Sequence, residues 1–260
     1  MVIILILNYH QHWGEFYQWF VGFSDAESSF IISVKYNKDK TKVTGFSFVY
    51  NITLHIDDMD VLEFIKNKLK VGNARVKTRG EEFLAEFSVS NKEGLYALFS
   101  IFDQYNLNTT KYLDYLDFRK AFILYHERDK NLSPEDKDRL MDQILELKNG
   151  MNSQRTNFNM PSRNLRDDKT SITKSWLLGF IEGDGSFFIS RSDIEPSFSI
   201  ELSNVQLYLL EKIKEFLIDD LKLDKYSMYK IRNSTSFNVI SIQNLKSKAS
   251  SEAAQVAKLP

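Results

Sequence analysis

The chain carries the same twelve-residue pattern twice, and this internal repeat constrains its fold more than any other feature. The first copy reads WFVGFSDAESSF over Trp19–Phe30, and the second reads WLLGFIEGDGSF over Trp176–Phe187. The two copies lose register in a loop and regain it further along, where Val61-Leu62-Glu63 resembles Leu209-Leu210-Glu211. The repeat therefore predicts two similar folding units that pack across a pseudo-twofold axis.

Each copy predicts the same order of elements: a motif helix, two strands, an amphipathic helix and two further strands. In the first copy, apolar and polar residues alternate over 30–37 and over 46–54, which is typical of strands with one buried face. Asp58 is placed to cap the amphipathic helix. Alternation beyond this helix puts three cations, Arg75, Lys77 and Arg79, on one face of a strand.

The repeat and the composition between its copies predict the domain organisation. We expect an N-terminal extension over 1–15, a first repeat over 16–150, a polar linker over 151–174, a shortened second repeat over 175–245 and a tail over 246–260. The first repeat continues with helices near 92–104, 109–129 and 134–148, the last capped by Ser133 and started by Pro134. Strands mixed with helices in this order predict an α+β fold.

Composition excludes several classes of protein. The chain has 260 residues and no cysteine, so thiol catalysis, zinc–thiolate sites and disulfides are absent. The apolar run Val2–Leu7 is too short to cross a bilayer, and we expect no membrane association. The net charge is −1, so nucleic-acid binding would need a locally basic face. We expect a monomer.

The two motifs predict a close helix–helix contact. Within each motif an aromatic residue and small residues recur at positions i, i+3, i+4 and i+7, on one face of a helix. Glycine costs about 0.5–1 kcal/mol in a helix interior, so its presence indicates a need for close approach. The predicted interface consists of Trp19, Gly22, Phe23, Ala26, Trp176, Gly179, Phe180 and Gly183.

Acidic residues end both motif helices. Asp25 and Glu27 end the first, and Glu182 and Asp184 end the second. Carboxylates are disfavoured at a helix C-terminus, and packed helices would bring Glu27 and Asp184 together. Such a pair needs either raised pKa values or a bound cation. Oxygen ligands without His or Cys favour a hard divalent cation such as Mg²⁺.

Both motifs resemble the LAGLIDADG motif of homing endonucleases and intron maturases, in the single-chain form with two motifs. The resemblance covers Trp19 to about Leu245. It implies two pseudo-symmetric αββαββα-type units whose motif helices pack at the interface and whose antiparallel sheets enter the DNA major groove. It also implies Mg²⁺-dependent cleavage of both strands of a double-stranded DNA site. Glu27 and Asp184 match the acid that is catalytic and binds the metal.

The polar faces of the predicted strands are consistent with this resemblance. Arg and Lys contact guanine or phosphate, and Asn reads adenine. The predicted DNA-binding residues are Ser33, Lys35, Asn37, Ser47, Asn51, Thr53, Arg75, Lys77, Arg79, Ser190, Ser192, Ser199, Lys230 and Arg232.

The chain departs from the family pattern at several positions. Ser24 and Ser28 replace the usual apolar residue and glycine of the first motif. The resemblance implies a polar helper on a strand of each unit, at Asn51 and Ser199. It also implies a lysine on the last strand of each unit, where the first has Ser88 and the second has no clear cation.

Three interpretations remain open from the sequence. The leading one is a site-specific double-strand DNA endonuclease that spreads its own intron. The second is a maturase that binds intron RNA on the same scaffold. The third is a truncated or decayed relative that does neither. The family and the abundance of Phe, Ile, Lys and Asn, which suits an AT-rich genome, favour a mitochondrial origin.

Overall fold

The computed structural model describes residues 13–160, 172–189, 196–219, 228–233 and 237–242. The first unit contains α1 (Trp13–Glu27), β1 (Ser28–Tyr36), β2 (Val43–His55), α2 (Met59–Leu69), β3 (Asn73–Arg79), β4 (Glu82–Val89), α3 (Lys92–Gln104), α4 (Lys111–His126) and α5 (Pro134–Asn149). The second contains α6 (Lys174–Asp184), β5 (Gly185–Ile189), β6 (Pro196–Ser203), α7 (Leu207–Asp219), β7 (Met228–Asn233) and β8 (Phe237–Ile242). Helix, hairpin, helix and hairpin follow one another in the same order in both units.

Each unit forms a four-stranded antiparallel sheet with the same topology. The strand order is β1-β2-β4-β3 in the first unit and β5-β6-β8-β7 in the second. The residues that follow the motif helices also pair alike: Ser29 lies opposite Asn51, and Ser186 lies opposite Ser199. The α+β fold with two similar repeats is therefore confirmed.

Aromatic side chains fill the core between the first sheet and its helices. Phe30 of β1 lies 5.8 Å from the ring of Phe102 in α3 and 5.4 Å from that of Phe118 in α4, between ring centroids. Phe48 of β2 packs edge-on against Phe118 and Phe122 of α4. One sheet face is thus buried beneath α3 and α4, and the opposite face is left for other contacts.

In the described part of the second unit, strand β5 is less covered than its counterpart β1. Phe187 holds the place of Phe30, yet 70% of its surface is exposed. Among the described residues, no helices corresponding to α3, α4 and α5 cover this face. The predicted tail over 246–260 lies outside the described residues.

Several local signals in the sequence act as predicted, and two do not. Ser133 caps α5 by accepting a hydrogen bond from the Asp136 amide. Asp58 holds the capping position of α2, but its side chain makes no capping hydrogen bond. The prediction that Asn37 continues the first strand is wrong, because β1 ends at Tyr36. The Asn37 carboxamide instead accepts hydrogen bonds from the amides of Thr41 and Lys42 and shapes the hairpin turn.

The first residues of the predicted linker pack against α4. Arg155 forms ion pairs with Asp114 and Asp117 at 2.8 and 2.7 Å. The Asn152 side chain donates to the backbone oxygen of Phe30. In the described part of the chain, no helix is long and apolar enough to cross a membrane.

Candidate active site

The motif helices α1 and α6 pack with their backbones in contact. A Cβ atom added to Gly22 would lie 2.0 Å from the Trp176 carbonyl oxygen, and one added to Gly179 would lie 2.1 Å from that of Trp19. Gly183 likewise leaves no room for a Cβ beside Ala26. The predicted glycines therefore sit at the crossing point, where any side chain would force the helices apart.

Two crossed hydrogen bonds join the same helices. The indole nitrogen Nε1 of Trp19 donates to Oε2 of Glu182 at 2.8 Å. At the position related by the pseudo-twofold axis, Nε1 of Trp176 donates to Oδ2 of Asp25 at 2.9 Å. Each tryptophan is also stacked on an aromatic ring one turn later, Phe23 or Phe180. Two directional hydrogen bonds therefore stabilise the contact between the repeats, in addition to close packing.

Asp25 is a buried carboxylate that organises the loop before α4. It accepts hydrogen bonds from the amides of Asn108 and Thr109 and from the Thr109 hydroxyl, at 2.8, 3.0 and 2.6 Å. Burial raises the pKa of Asp25, and these bonds together with that from Trp176 oppose the rise. Asp25 therefore fixes this loop against the end of α1.

The second unit lacks this arrangement in the described residues. Glu182 holds the place of Asp25, but its buried Oε1 atom has no hydrogen-bond partner among the described residues. Burial raises the pKa of Glu182, and the hydrogen bond from Trp19 opposes the rise. Within the described residues, Asp25 and Glu182 therefore differ in their supporting contacts.

Glu27 and Asp184 are the last residues of α1 and α6. Burial raises the pKa of Glu27, and repulsion from Asp184 raises it further. Burial also raises the pKa of Asp184, against the attraction of Lys111. The structure thus brings together the two acids that the sequence singled out, in surroundings that disfavour two unneutralised negative charges.

Lys111, the first residue of α4, reaches the same place and was missed from the sequence. Its ammonium group donates to the backbone oxygens of Ser24 and Ala26, each at 3.1 Å. Burial lowers its pKa, while Asp25, Asp184 and Glu27 attract a positive charge there. The resemblance implied a lysine on the last strand, where the chain has Ser88, but in the structure a lysine reaches the acids from the first residue of α4.

The pair of acids suits a hard divalent cation. Among the residues that the structure describes, no three Asp, Glu, His or Cys side chains are grouped so as to hold a metal ion by themselves. Mg²⁺, however, is commonly held by one or two carboxylates together with substrate phosphates and water. Glu27 and Asp184 are two carboxylates that could take part in such a site.

Most of the predicted DNA-binding residues of the first unit share one face of the sheet. Strand alternation and register place Ser33, Lys35, Ser47, Asn51, Thr53, Arg75, Lys77 and Arg79 on the face opposite the core. Asn51 lies between Ser29 and Ser88 in the row next to the motif helix. Asn37 is not on this face, because it belongs to the hairpin turn.

In the second unit, Ser199 lies between Ser186 and Ser241, the equivalent row. Lys230 and Arg232 lie on β7, one of the two edge strands of the second sheet. Ser190 and Ser192 lie outside the described residues.

The serines that depart from the usual motif are accommodated by polar contacts. The Ser24 hydroxyl donates to the Phe20 carbonyl oxygen and is hydrogen-bonded to the Tyr50 hydroxyl at 2.7 Å. The Ser28 hydroxyl donates to the Ser24 carbonyl oxygen. Both serines thus have partners within the buried end of α1.

Comparisons with known proteins agree with this geometry. The family model described as LAGLIDADG endonuclease matches residues 20–122 and 177–249. "Probable intron-encoded endonuclease Cox1-I1b" of Schizosaccharomyces pombe is 32% identical over 206 residues, which are 78% of this chain and 50% of that protein. "Uncharacterized mitochondrial protein RF1" of Saccharomyces cerevisiae is 32% identical over 208 residues, or 80% of this chain and 39% of that protein. The chain thus spans half or less of the length of these relatives.

A solved structure shares the fold. The crystal structure of the LAGLIDADG homing endonuclease I-GzeII in complex with its DNA target has a TM-score of 0.69 and 24% sequence identity to this chain. The match covers 94% of this chain and 84% of that one. Two motif helices in backbone contact, an acid at the end of each, and a family model that matches both repeats lead to one conclusion: the chain belongs to the LAGLIDADG endonuclease family.

Proposed function

We propose that this protein is a site-specific homing endonuclease that hydrolyses both strands of a double-stranded DNA target. The observation that carries the proposal is the meeting of Glu27 and Asp184 at the ends of helices packed in backbone contact. Two acids related by a pseudo-twofold axis match the two antiparallel strands of a duplex. Each acid would serve one strand.

The roles of the surrounding residues follow from their positions. Glu27 and Asp184 would hold Mg²⁺ or another hard divalent cation. When bound, such a cation lowers the pKa of a coordinated water and neutralises charge on the attacked phosphate. Lys111 would donate to a phosphate oxygen or to the leaving oxygen, because its ammonium lies beside both acids. Asn51 and Ser199 would orient water or phosphate from the adjacent strand row.

The sheets would bind the duplex. Strands can enter the major groove, and the face opposite the core of the first sheet carries Lys, Arg, Asn, Ser and Thr side chains. The solved structure of I-GzeII is described with its DNA target, which supports DNA binding, and the exposed cations of this chain favour this face for it. The helix-covered face of the same sheet is occupied by Phe30 and Phe48 and is not available.

We also propose that the protein is encoded by a mobile intron of a mitochondrial genome and acts as a monomer there. One relative is named an intron-encoded endonuclease and another a mitochondrial protein. The contact between α1 and α6 joins two repeats of one chain, so one chain brings both acids to the site.

A cleavage selection tests this function. The purified chain is incubated with a randomised duplex DNA library and Mg²⁺, beside Glu27→Gln, Asp184→Asn and the control Glu15→Gln. Glu15 is an acid in the first turn of the same helix α1, so its variant makes the same chemical change at the other end. We expect cut sites to be recovered with the wild type and Glu15→Gln, and with neither of the other variants.

Other outcomes would contradict the proposal. A folded wild-type chain that cuts no sequence would exclude endonuclease activity, and tight binding of intron RNA by that chain would identify a maturase. Cutting that survives in both Glu27→Gln and Asp184→Asn would exclude the assigned acids.

A further inference from the structure

A buried carboxylate lies within the sheet face that we assign to DNA. Glu86 is on β4, where it lies opposite Thr53 of β2 and Arg75 of β3. Only 3% of its surface is exposed. An acid is an unexpected residue in a surface that must approach phosphates, so its contacts decide what it does.

Glu86 holds two of the predicted DNA-binding cations. Its Oε1 accepts hydrogen bonds from Nε and Nη2 of Arg75 at 3.0 and 2.6 Å. Its Oε2 accepts from the ammonium of Lys77 at 2.6 Å. Burial alone would raise the pKa of Glu86, but the hydrogen bonds from Lys77 and Arg75 outweigh it and hold the pKa below its ordinary value. The acid is therefore ionised between two cations.

The bonds to Glu86 leave one edge of Arg75 free to bind. A guanidinium has five N–H donors in a fixed fork. Nε and one N–H of Nη2 point to Glu86, so the donors at the far end, on Nη1 and Nη2, remain for another pair of acceptors. The Arg75 side chain is 65% exposed although its inner edge is fixed. Two parallel N–H groups match O6 and N7 of guanine in the major groove.

We propose that Glu86 is a positioning residue for sequence recognition, which orients Arg75 so that its outer edge reads one guanine of the target. The inference rests on the proposed DNA-binding function and names a source of its specificity. A flexible arginine on this strand would bind phosphate or base without preference, whereas an arginine held at its inner edge loses little further freedom on binding.

A purely stabilising role explains the arrangement less well. Glu86 is buried while both cations are about half exposed or more, and a buried ion pair is weak evidence for stabilisation because the cost of desolvating the charges offsets their attraction. A negative charge in the DNA-facing surface also weakens attraction to the phosphates. Glu86 therefore lowers general affinity for DNA and constrains the direction of Arg75, which is the combination expected of a specificity determinant.

A binding selection tests the inference. The full chain is equilibrated with a randomised duplex DNA library without divalent cations, so that bound DNA is not cut, and the enriched bases are compared between wild type and Glu86→Gln. The selected duplex then competes against versions with each guanine replaced by adenine. For wild type we expect roughly 5- to 150-fold discrimination at the guanine read by Arg75, as for a bidentate contact. In Glu86→Gln we expect that preference to fall below about 3-fold, with positions away from Arg75 and Lys77 unchanged.

Glu82→Gln is the matched control. Glu82 lies on the same strand and the same face, opposite Arg79, and its replacement removes the same negative charge. We expect both variants to bind arbitrary duplexes more tightly than wild type, and only Glu86→Gln to lose the preference for guanine. Arg75→Lys keeps the charge and the exposed position but lacks the forked pair of N–H donors. It should lose the preference for the same guanine, and it tests the inference even if Glu86→Gln folds poorly.

The outcomes separate this inference from the proposed function. Wild type that enriches no sequence overturns the proposed function and this inference with it. A guanine preference that is unchanged in folded Glu86→Gln, or in Arg75→Lys, overturns the inference alone. An equal loss in Glu82→Gln also overturns it, because charge and not orientation would then be the cause.

Discussion

At the scale of single residues, the acids at the helix ends are kept where ionisation is unfavourable. Burial raises the pKa values of Glu27 and Asp184, and the two carboxylates repel each other. In the absence of a cation, each ionised carboxylate therefore lowers the free energy of unfolding. Active sites often contain groups that lower the stability of the protein but are needed for its activity.

The loss of stability caused by these two carboxylates can be measured by replacing each with its neutral amide. An acid whose pKa is raised by folding destabilises the native state as pH rises through that range, and the cost is relieved as pH falls. We therefore expect Glu27→Gln and Asp184→Asn to melt about 2–4 °C above wild type at neutral pH without metal, a shift of about 1 kcal/mol. Thermal unfolding between pH 4 and pH 8 should show the difference shrinking towards acid pH.

Glu15→Gln serves again as the control, because it lies at the other end of α1, away from Asp184. If Glu27→Gln and Asp184→Asn melt at or below the wild-type temperature at neutral pH, the acids do not strain the fold as we infer.

Lys111 predicts a second pH effect, on cleavage. Burial lowers the pKa of its ammonium, so the positive charge is lost at a lower pH than for an exposed lysine. We expect the cleavage rate to rise as the acids ionise and to fall again at alkaline pH as Lys111 loses its proton. Lys111→Arg keeps the charge at all these pH values and should remove the alkaline fall, as measured by single-turnover cleavage across pH.

Lys111→Met should slow cleavage about 100-fold or more, as when a charge-stabilising donor is removed. Lys120→Met, an exposed position of the same helix α4, should cleave normally. Equal rates in the two variants would contradict the role given to Lys111.

At the scale of elements, the contact between α1 and α6 depends on the absence of side chains. We expect Gly179→Ala to destabilise the protein by about 1–3 kcal/mol or more, because its Cβ would lie 2.1 Å from a backbone oxygen of α1. The melting temperature should fall by roughly 3–10 °C, and cleavage should fall with it as the acids separate.

Gly14→Ala is the matched comparison within α1. Its Cβ would meet only the Tyr105 hydroxyl, at 3.6 Å, which is an ordinary contact. We expect no loss of stability, or a gain of a few tenths of a kcal/mol from the better helix former. A Gly179→Ala protein as stable as Gly14→Ala would contradict the crossing geometry.

The elements were largely predictable because their signals are local. Alternation over 46–54 specified β2, and Ser133 with Pro134 specified the start of α5, since a strand or a cap needs only neighbouring residues. Asn37 was misplaced because its carboxamide bonds the amides of the turn, and this competes with continuation of the strand.

The residues missed at the site are those placed by distant parts of the chain. Lys111 reaches the acids only because Asp25, more than eighty residues earlier, holds the loop before α4. The role of Glu86 depends on the register of two strands, which pairs it with Arg75. Neither contact leaves a pattern in the sequence around it.

At the scale of the whole molecule, charge is separated although the net charge is −1. The open face of the first sheet carries the cations Lys35, Arg75, Lys77 and Arg79, which outnumber the acids Glu82 and Glu86 on the same face. Binding of duplex DNA should therefore weaken linearly with the logarithm of salt concentration, because bound phosphates release counterions.

Lys35→Gln should reduce the slope of this salt dependence by about 0.9, the value for one phosphate contact. Lys137→Gln, on the exposed side of α5, should leave the slope unchanged. Fluorescence anisotropy with a single duplex between 50 and 300 mM salt measures both slopes. Equal slopes for Lys35→Gln and wild type would show that Lys35 does not contact a phosphate of the duplex.

The crossed hydrogen bonds between the motif helices have a consequence for chimeras. Each tryptophan finds its carboxylate in the other repeat, Trp19 with Glu182 and Trp176 with Asp25. A hybrid protein that joins one half of this chain to the other half of a relative would therefore keep both bonds only if the relative carries the matching tryptophan and acid. We expect hybrids that keep both tryptophan–carboxylate pairs to be more stable than hybrids in which one pair is lost.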